Sequence, residues 1–240
     1  MNILITNRTM SIRNGAELYV RDLALELLAQ GHRPMIYTSE VGVVGRELID
    51  LTVPVTDNLD DIGVRPDIIH GQTYITAMAA LTYFDDVPMV NMCHGWRPWT
   101  EAPLIHPNVV GYAAVDDATH DRLAMQHGIG EDRISVVHNF VDLDRFRPTA
   151  EPNEELGRIL LFSNYVRKGS PYYRAAHEAA EQLDARLDVV GSNVGTATTA
   201  PEQMLGDYDV VLAQGRSALE AMAVGASVMI CSSRAFGPLV

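Results

Sequence analysis

Residues 215–230 read GRSALEAMAVGASVMI, a glycine followed by a helix-forming run of small residues and then by an apolar run. A helix that begins at Gly215 offers unpaired backbone N–H groups and the positive end of its dipole to a bound phosphate. Glu220 lies a little over one turn further on, where its carboxylate can accept hydrogen bonds from a ribose. The apolar run after Gly225 is typical of a buried strand in a parallel sheet. The stretch therefore predicts a helix that leads into such a strand.

The same pattern has a second interpretation that involves no ligand. A helix that only packs against a sheet, with Gly225 as its C-terminal cap, would have the same sequence pattern. In the binding interpretation, the residues at the start of the helix are candidate substrate contacts, namely Gly215, Arg216 and Ser217. The choice between the two depends on the rest of the chain.

Upstream of this stretch, short apolar runs alternate with amphipathic segments. Strands are predicted at 3–5, 35–37, 68–69, 89–92, 109–115 and 134–137. One helix is predicted between the first two strands, a second at about 73–84 and a third at about 117–127. This alternation is typical of βαβ units. The pattern stops between 142 and 157, where prolines and acidic residues without an apolar period indicate a linker.

A second α/β series follows the linker. Strands are predicted at 159–162, 187–190, 210–212 and 228–230, with helices at 170–183, near 202 and around Glu220. The simplest architecture is α/β, with two Rossmann-like doubly wound domains and a cleft between them. The predicted domains are 1–145 and 158–240, joined by a linker at 146–157. The second is short or incomplete, because it stops at a strand.

Composition excludes several classes of function. The chain has 240 residues, 47% of them hydrophobic, and a formal charge of -13 with a pI near 4.9. Such a charge argues against nucleic acid and against unaided binding to anionic lipid. Two cysteines, no signal peptide and no transmembrane run predict a cytoplasmic protein with buried, inert thiols. The eight histidines lack metal-ligand spacing, so no metal site is expected.

Two loops of the first series carry candidate binding residues. A polar loop after the first strand ends at Gly15, where a backbone can approach a phosphate, although an ordinary helix N-cap is an equal alternative. His94 follows the 89–92 strand and should lie at the carboxyl end of the sheet, where open α/β folds bind ligands. It can hydrogen-bond a sugar hydroxyl, beside a flat face from Trp96 and Trp99. The alternatives are a strand-end histidine tied to backbone and a tryptophan pair that anchors the loop.

Two further candidates lie on either side of the linker. Asn139 leaves the first domain where the chain should border the cleft. Lys168 is expected at the start of the first helix of the second domain, where its charge and the helix N-terminus can both meet a diphosphate. A solvated basic pair with Arg167 is the alternative.

In order along the chain, these segments resemble the retaining GT-B-fold glycosyltransferases of family 4. The similar segments are NGAE at 14–17, GH at 31–32, PDIIH at 66–70, the strand and HG at 90–95, VVHNFVD at 136–142 with Phe146 and Pro148, KG at 168–169 and LEAMAVG at 219–225. Each segment alone is weak evidence, whereas the ordered set is fairly specific and spans nearly the whole chain.

The resemblance implies a nucleoside-diphosphate sugar as donor and co-substrate, a glycan or small-molecule acceptor, transfer with retention, and no metal or other cofactor. By position, Gly15 and Lys168 would contact the donor diphosphate, His94 the donor sugar and Glu220 the ribose. His94, Lys168 and Glu220 are thus the predicted catalytic residues, with Lys168 and helix dipoles stabilising the leaving group.

The chain also departs from the family pattern. Leu212 stands where a glutamate that touches the donor sugar is usual, Ser163 where an arginine is usual, and the family's terminal helices are missing. These departures keep open a degenerate or truncated relative that binds a nucleotide or glycan without transfer. An epimerase that shares the GT-B architecture is a third hypothesis. Missing helices would also expose apolar sheet surface, so self-association is expected.

Overall fold

The computed structural model describes residues 1–95, 99–148, 155–232 and 236–239. The chain divides into two compact units, Met1–His138 and Asn139–Val240. Phe146 is 1% exposed and packs in the core of the second unit together with Val141, so the polypeptide joins that unit soon after His138. Residues 149–154 of the predicted linker lie outside the described residues.

The first unit is a parallel sheet of seven strands. In chain order they are β1 Asn2–Asn7, β2 Arg33–Thr38, β3 Val55–Thr56, β4 Ile68–Gly71, β5 Met89–Cys93, β6 Val109–Ala114 and β7 Ile134–Val136. Their order in the sheet is β3-β2-β1-β4-β5-β6-β7, and all pairs are parallel. The connections run outward in one direction from β1 and then in the other from β4, which makes the β1/β4 boundary the topological switch point.

The helices of the first unit are α1 Gly15–Ala29, α2 Gly42–Asp50, α3 Tyr74–Tyr83 and α4 Asp117–Ala124. Alternate residues of β1 enter different cores: Leu4 packs in one cluster, whereas Ile3 and Ile5 pack in another. Both faces of the sheet are therefore covered, which explains why its strands appear as nearly continuous apolar runs.

The second unit has a five-stranded mixed sheet. Its strands are β8 Arg158–Phe162, β9 Arg186–Val190, β10 Val210–Ala213, β11 Ser227–Cys231 and β12 Phe236–Leu239, and its helices are α5 Pro171–Gln182 and α6 Arg216–Ala223. The sheet order is β12-β11-β10-β8-β9, with only the β11–β12 pair antiparallel among the described strands. The switch point lies between β8 and β10, because β9 and β10 flank β8 on opposite sides.

The structure confirms the predicted α/β class with two doubly wound domains, and every predicted strand and helix is present within a few residues. The sequence prediction missed α2, β3 and β12. Helix α2 contains Gly42 and Gly45, and glycine weakens a helical pattern. Both cysteines are buried as predicted, and burial raises the pKa of the Cys93 thiol to about 12 and that of Cys231 to about 11. Across the described residues, no helix has the length and apolarity to cross a membrane.

Candidate functional site

The carboxyl ends of β1, β4 and β5 bring the candidates of the first unit to one edge of its sheet. Strand β4 pairs with both β1 and β5, so the residues that follow these three strands are neighbours. His70 and Gln72 come from the end of β4, and His94 follows β5 directly. This edge contains the switch point, where open α/β sheets bind ligands.

His94 is held by contacts that sequence reasoning did not foresee. Its Nε2 is in hydrogen-bonding contact with Oε1 of Gln72, whose Nε2 lies 3.4 Å from Nδ1 of His70. The ring of Tyr19, on α1, meets the His94 ring edge-on, with the centroids 4.7 Å apart and the planes at 75°. His94 is therefore fixed by side chains from α1 and β4 as well as by its own strand.

The same enclosure sets the charge of the two histidines. Burial lowers the pKa of His70 to about 4. Burial, with a smaller contribution from His70, also lowers the pKa of His94 to about 4. At neutral pH both rings are uncharged, so any ligand at this edge would meet a neutral imidazole at His94.

Glu101 and Arg122 also lie beside His94, and no sequence pattern had pointed to them. Glu101 ends a short 3-10 turn, Trp99–Glu101, after β5. Burial raises its pKa, while the Arg122 guanidinium and the His94 backbone N–H act in the opposite direction. Arg122 donates from Nη1 to the carbonyl oxygen of Gly95. An isolated glutamate in a loop has no period or spacing by which it could have been recognised.

The glycine loop places a carboxylate near Gly15. Helix α1 begins at Gly15, and a Cβ there would meet nothing within 4 Å, so the position is open. In the first turn Glu17 is 6% exposed, and its Oε1 accepts a hydrogen bond of 2.9 Å from Thr9 Oγ1. Burial raises the pKa of Glu17, although the hydrogen bond from its own backbone N–H acts to lower that pKa. An ionised Glu17 would oppose a diphosphate here, so the role of Gly15 stays a prediction.

In the second unit, the turn after β8 and the start of α6 lie at the same sheet edge, because β8 and β10 are neighbours. Lys168 is exposed in that turn and is the only lysine among the 240 residues. Helix α5 begins at Pro171, so Lys168 precedes the helix instead of starting it, which corrects the expected position. Its charge is nevertheless at the carboxyl end of the sheet.

Helix α6 follows Gly215, whose φ of 56° is accessible to few other residues. Glu220 is 5% exposed, and its Oε1 accepts a hydrogen bond of 2.8 Å from Nε of Arg216. Part of the Arg216 guanidinium is thus committed to Glu220 within the helix. Gly225, at φ 87°, ends the helix as a C-terminal cap, as the packing interpretation predicts, and the binding role of this motif stays a prediction.

The structure shows the surroundings of Leu212 and Ser163, the two residues that depart from the family pattern. Leu212 is a β10 residue, 6% exposed in a core cluster, and only Gln214 and Gly215 separate β10 from α6. A carboxylate at position 212 would lie in that core. The carbonyl oxygen of Ser163, after β8, lies 2.0 Å from where a Cβ on Gly191 would stand, so these two loops are in close contact.

The remaining predicted residues are more scattered. Asn139 opens the second unit and is half-buried, and Ser217 lies in the first turn of α6. Trp96 lies outside the described residues, whereas Trp99 is 67% exposed. Within the part of the chain that the structure describes, no three His, Cys, Asp or Glu side chains are grouped so as to hold a metal ion.

The family model named Glycosyltransferase Family 4 matches residues 13–145, more than half of the chain. The chain belongs to Glycosyltransferase Family 4. The match includes the NGAE, PDIIH and HG segments that the sequence offered as signs of this family, and membership supports sugar transfer as the general activity. Comparison with curated protein sequences finds no match.

Solved structures of similar fold extend over both units of this family 4 chain. A glycosyltransferase from Rickettsia africae is 17% identical with a TM-score of 0.71, and the alignment covers 95% of this chain and 78% of that one. HepE from Anabaena, solved with UDP and glucose, is 14% identical with a TM-score of 0.59, over 94% and 79%. A UDP-N-acetylglucosamine 2-epimerase is 13% identical with a TM-score of 0.60, over 95% and 78%.

At these identities the likeness shows the GT-B fold alone. Transferases and an epimerase share it, so the fold does not choose between the two kinds of reaction. The choice depends on the residues of the site and on membership of the transferase family.

Proposed function

We propose that this protein transfers a hexosyl group from a nucleoside-diphosphate sugar to a glycan or small-molecule acceptor, with retention of configuration and without a bound metal ion. One observation carries the proposal: the turn with Lys168 and the N-terminus of α6 follow adjacent strands at the switch point of the second sheet. A lysine charge and free helix N–H groups at one edge are suited to a diphosphate. The family match and the UDP complex of HepE support the donor class.

In this proposal the second unit binds the donor. Lys168 and the N–H groups of Gly215, Arg216 and Ser217 hold the diphosphate and stabilise the charge that develops as the sugar–phosphate bond breaks. Glu220 accepts hydrogen bonds from the ribose. No metal is required, because the lysine and the helix N-terminus together supply positive potential at the leaving group.

The first unit binds the acceptor, and neutral His94 accepts a hydrogen bond from a sugar hydroxyl. The resemblance to retaining enzymes supports retention, and NMR of the first-formed product tests it by reporting the anomeric configuration. A product of inverted configuration would contradict this part of the proposal and leave donor binding untouched.

A second candidate function is nucleotide or glycan binding without transfer. It is favoured by Leu212, which is buried in the core where the family usually has a donor-contacting glutamate, and by the engagement of Glu220 with Arg216. Both observations reduce the polar groups that can reach a donor sugar and ribose. Binding of a nucleotide or glycan, with no transfer product when candidate acceptors are added, would support this second function.

The deciding experiment is calorimetric titration with UDP, GDP, ADP and dTDP and their common sugars. We expect one nucleotide to bind and Lys168→Ala to weaken it by about tenfold or more, the effect of losing a hydrogen bond to a charged group. Arg174→Ala is the matched control, since it removes one positive charge from an exposed position of α5. Equal weakening by both variants would mean that only net charge matters.

Because Lys168 is the sole lysine, amine-reactive labelling gives an independent readout. The bound nucleotide should slow acetylation of Lys168, measured by mass spectrometry, and leave the α-amino group of Met1 unchanged. Binding without protection would place the nucleotide elsewhere, and absence of binding to every nucleotide would overturn the donor proposal. Acceptor screening by product analysis then separates transfer from binding alone.

A further inference from the structure

Gln72 joins two imidazole rings through the two ends of one amide. Its Oε1 faces Nε2 of His94, and its Nε2 lies 3.4 Å from Nδ1 of His70. A carbonyl oxygen only accepts and an amide nitrogen only donates. Hence His94 carries its proton on Nε2 and His70 has its lone pair on Nδ1. Each of the two contacts then joins a donor to an acceptor, and both imidazole rings are neutral.

The surroundings hold the amide in this place. Gln72 is 1% exposed, and its backbone N–H donates to Oγ1 of Thr6, itself fully buried on β1, over 3.2 Å. The edge-on contact with Tyr19 limits rotation of the His94 ring. A reversed amide would pair with the opposite tautomer of both histidines, so the tautomer of His94 reports the orientation of the amide.

Neither the family match nor the sequence motifs involve Gln72 in the chemistry, although its partner His94 is a predicted sugar contact. With the proton on Nε2, the free lone pair of His94 is on Nδ1. The side-chain hydrogen bond that the structure gives the His94 ring is made by Nε2, which leaves Nδ1 for a ligand.

We infer that Gln72 is a positioning residue that fixes His94 in the Nε2–H tautomer, so that Nδ1 is the atom that accepts a hydrogen bond from a sugar hydroxyl. The tautomer itself is a property of the free protein, and only the contact with a sugar rests on the proposed function. Gln72 acts through His94 and touches no reacting atom.

The test is long-range ¹H–¹⁵N NMR of the protein labelled with ¹⁵N-histidine, with His94 assigned from a His94→Phe variant. In the wild type at pH 7 we expect a protonated Nε2 and an unprotonated Nδ1 on His94. Gln72→Met should shift the tautomer ratio by about fivefold or more, the effect of losing one hydrogen bond. Gln30→Met, at an exposed glutamine, should leave the His94 signals unchanged.

Gln72→Glu adds a second readout. A carboxylate in contact with Nε2 should raise the pKa of His94 and bring its charged form into the range near neutral pH. A wild-type His94 protonated on Nδ1, or a tautomer ratio unmoved by Gln72→Met, would overturn the inference. If one variant does not fold, the wild-type spectrum still tests the tautomer and the other variant still tests the role of Gln72. No donor is used, so failure of the proposed function would leave this result standing.

Discussion

Arg216 and Glu220 form a buried ion pair within a single helix of the second unit. Nε of Arg216 lies 2.8 Å from Oε1 of Glu220, and the two side chains are 10% and 6% exposed. The pair begins at the first residue of α6, the proposed diphosphate-binding end, and spans the first turn of the helix. It orients the carboxylate that we propose as the ribose contact.

Breaking this pair from one side should destabilise the protein. Arg216→Met removes the guanidinium from a buried carboxylate, and Glu220→Met removes the carboxylate from a buried guanidinium; each change typically costs about 3 kcal/mol or more. The double variant should recover much of the loss, because neither charge remains buried. Urea denaturation measures all three free energies of unfolding. Arg65→Met is the control, since its pair with Asp86 is exposed to solvent and contributes little to stability. Single variants as stable as the control would show that the ion pair contributes nothing.

Restoring the family's glutamate at position 212 should damage the fold instead of improving activity. Leu212→Glu buries an unpaired carboxylate in the core of the second unit, and we expect a loss of several kcal/mol or a carboxyl group that stays protonated. Leu212→Met, of similar volume, should cost less than about 1.5 kcal/mol. Thermal and urea unfolding compare the two variants. A stable Leu212→Glu protein with increased donor turnover would contradict the placement of this residue in the core.

The loop that carries Lys168 depends on the absence of a side chain at Gly191. A Cβ there would stand 2.0 Å from the Ser163 carbonyl oxygen, so Gly191→Ala must displace the backbone after β8. We expect a loss of about 1–3 kcal/mol of stability and weaker nucleotide binding. Gly157→Ala is the control, because its nearest contact is an ordinary 3.7 Å to Asp209. Equal stabilities of the two variants would count against the close packing of these loops.

The buried histidines should make the protein less stable in mild acid. Their pKa of about 4 in the folded state lies below the value of about 6.5 expected in the unfolded chain. As pH falls below about 6.5, the unfolded state therefore binds protons that the folded state does not, and stability is lost down to about pH 4. At pH 5 the loss is roughly 2 kcal/mol per histidine.

His70→Gln removes one of these groups, so its stability should fall less between pH 7 and pH 5 than that of the wild type. Replacing exposed His127 by glutamine serves as the control. The measurement is urea denaturation at each pH. A pH dependence unchanged in His70→Gln would mean that His70 is protonated in the folded state or does not contribute.

Much of the fold was predictable because its determinants are local in the sequence. Apolar runs of strand length, separated by amphipathic segments, require a sheet that is covered on both faces, and β1 meets this requirement with alternate residues in two cores. The sequence also predicted that His94, Lys168 and Gly215 follow strands at their carboxyl ends. Helix α2 was missed because its two glycines obscure the helical period.

What the sequence by itself determined is therefore the α/β alternation, most of the elements in their order, and the ends of the strands at which polar residues gather. Only the tertiary structure decided which of these residues touch. Gln72 reaches His94 because β4 and β5 are in register, Glu101 lies beside Arg122 across a loop and a helix, and Arg216 turns toward Glu220. Such contacts depend on strand register, on rotamers and on burial that strengthens each polar interaction, and none of these is encoded in the apolar period of one segment.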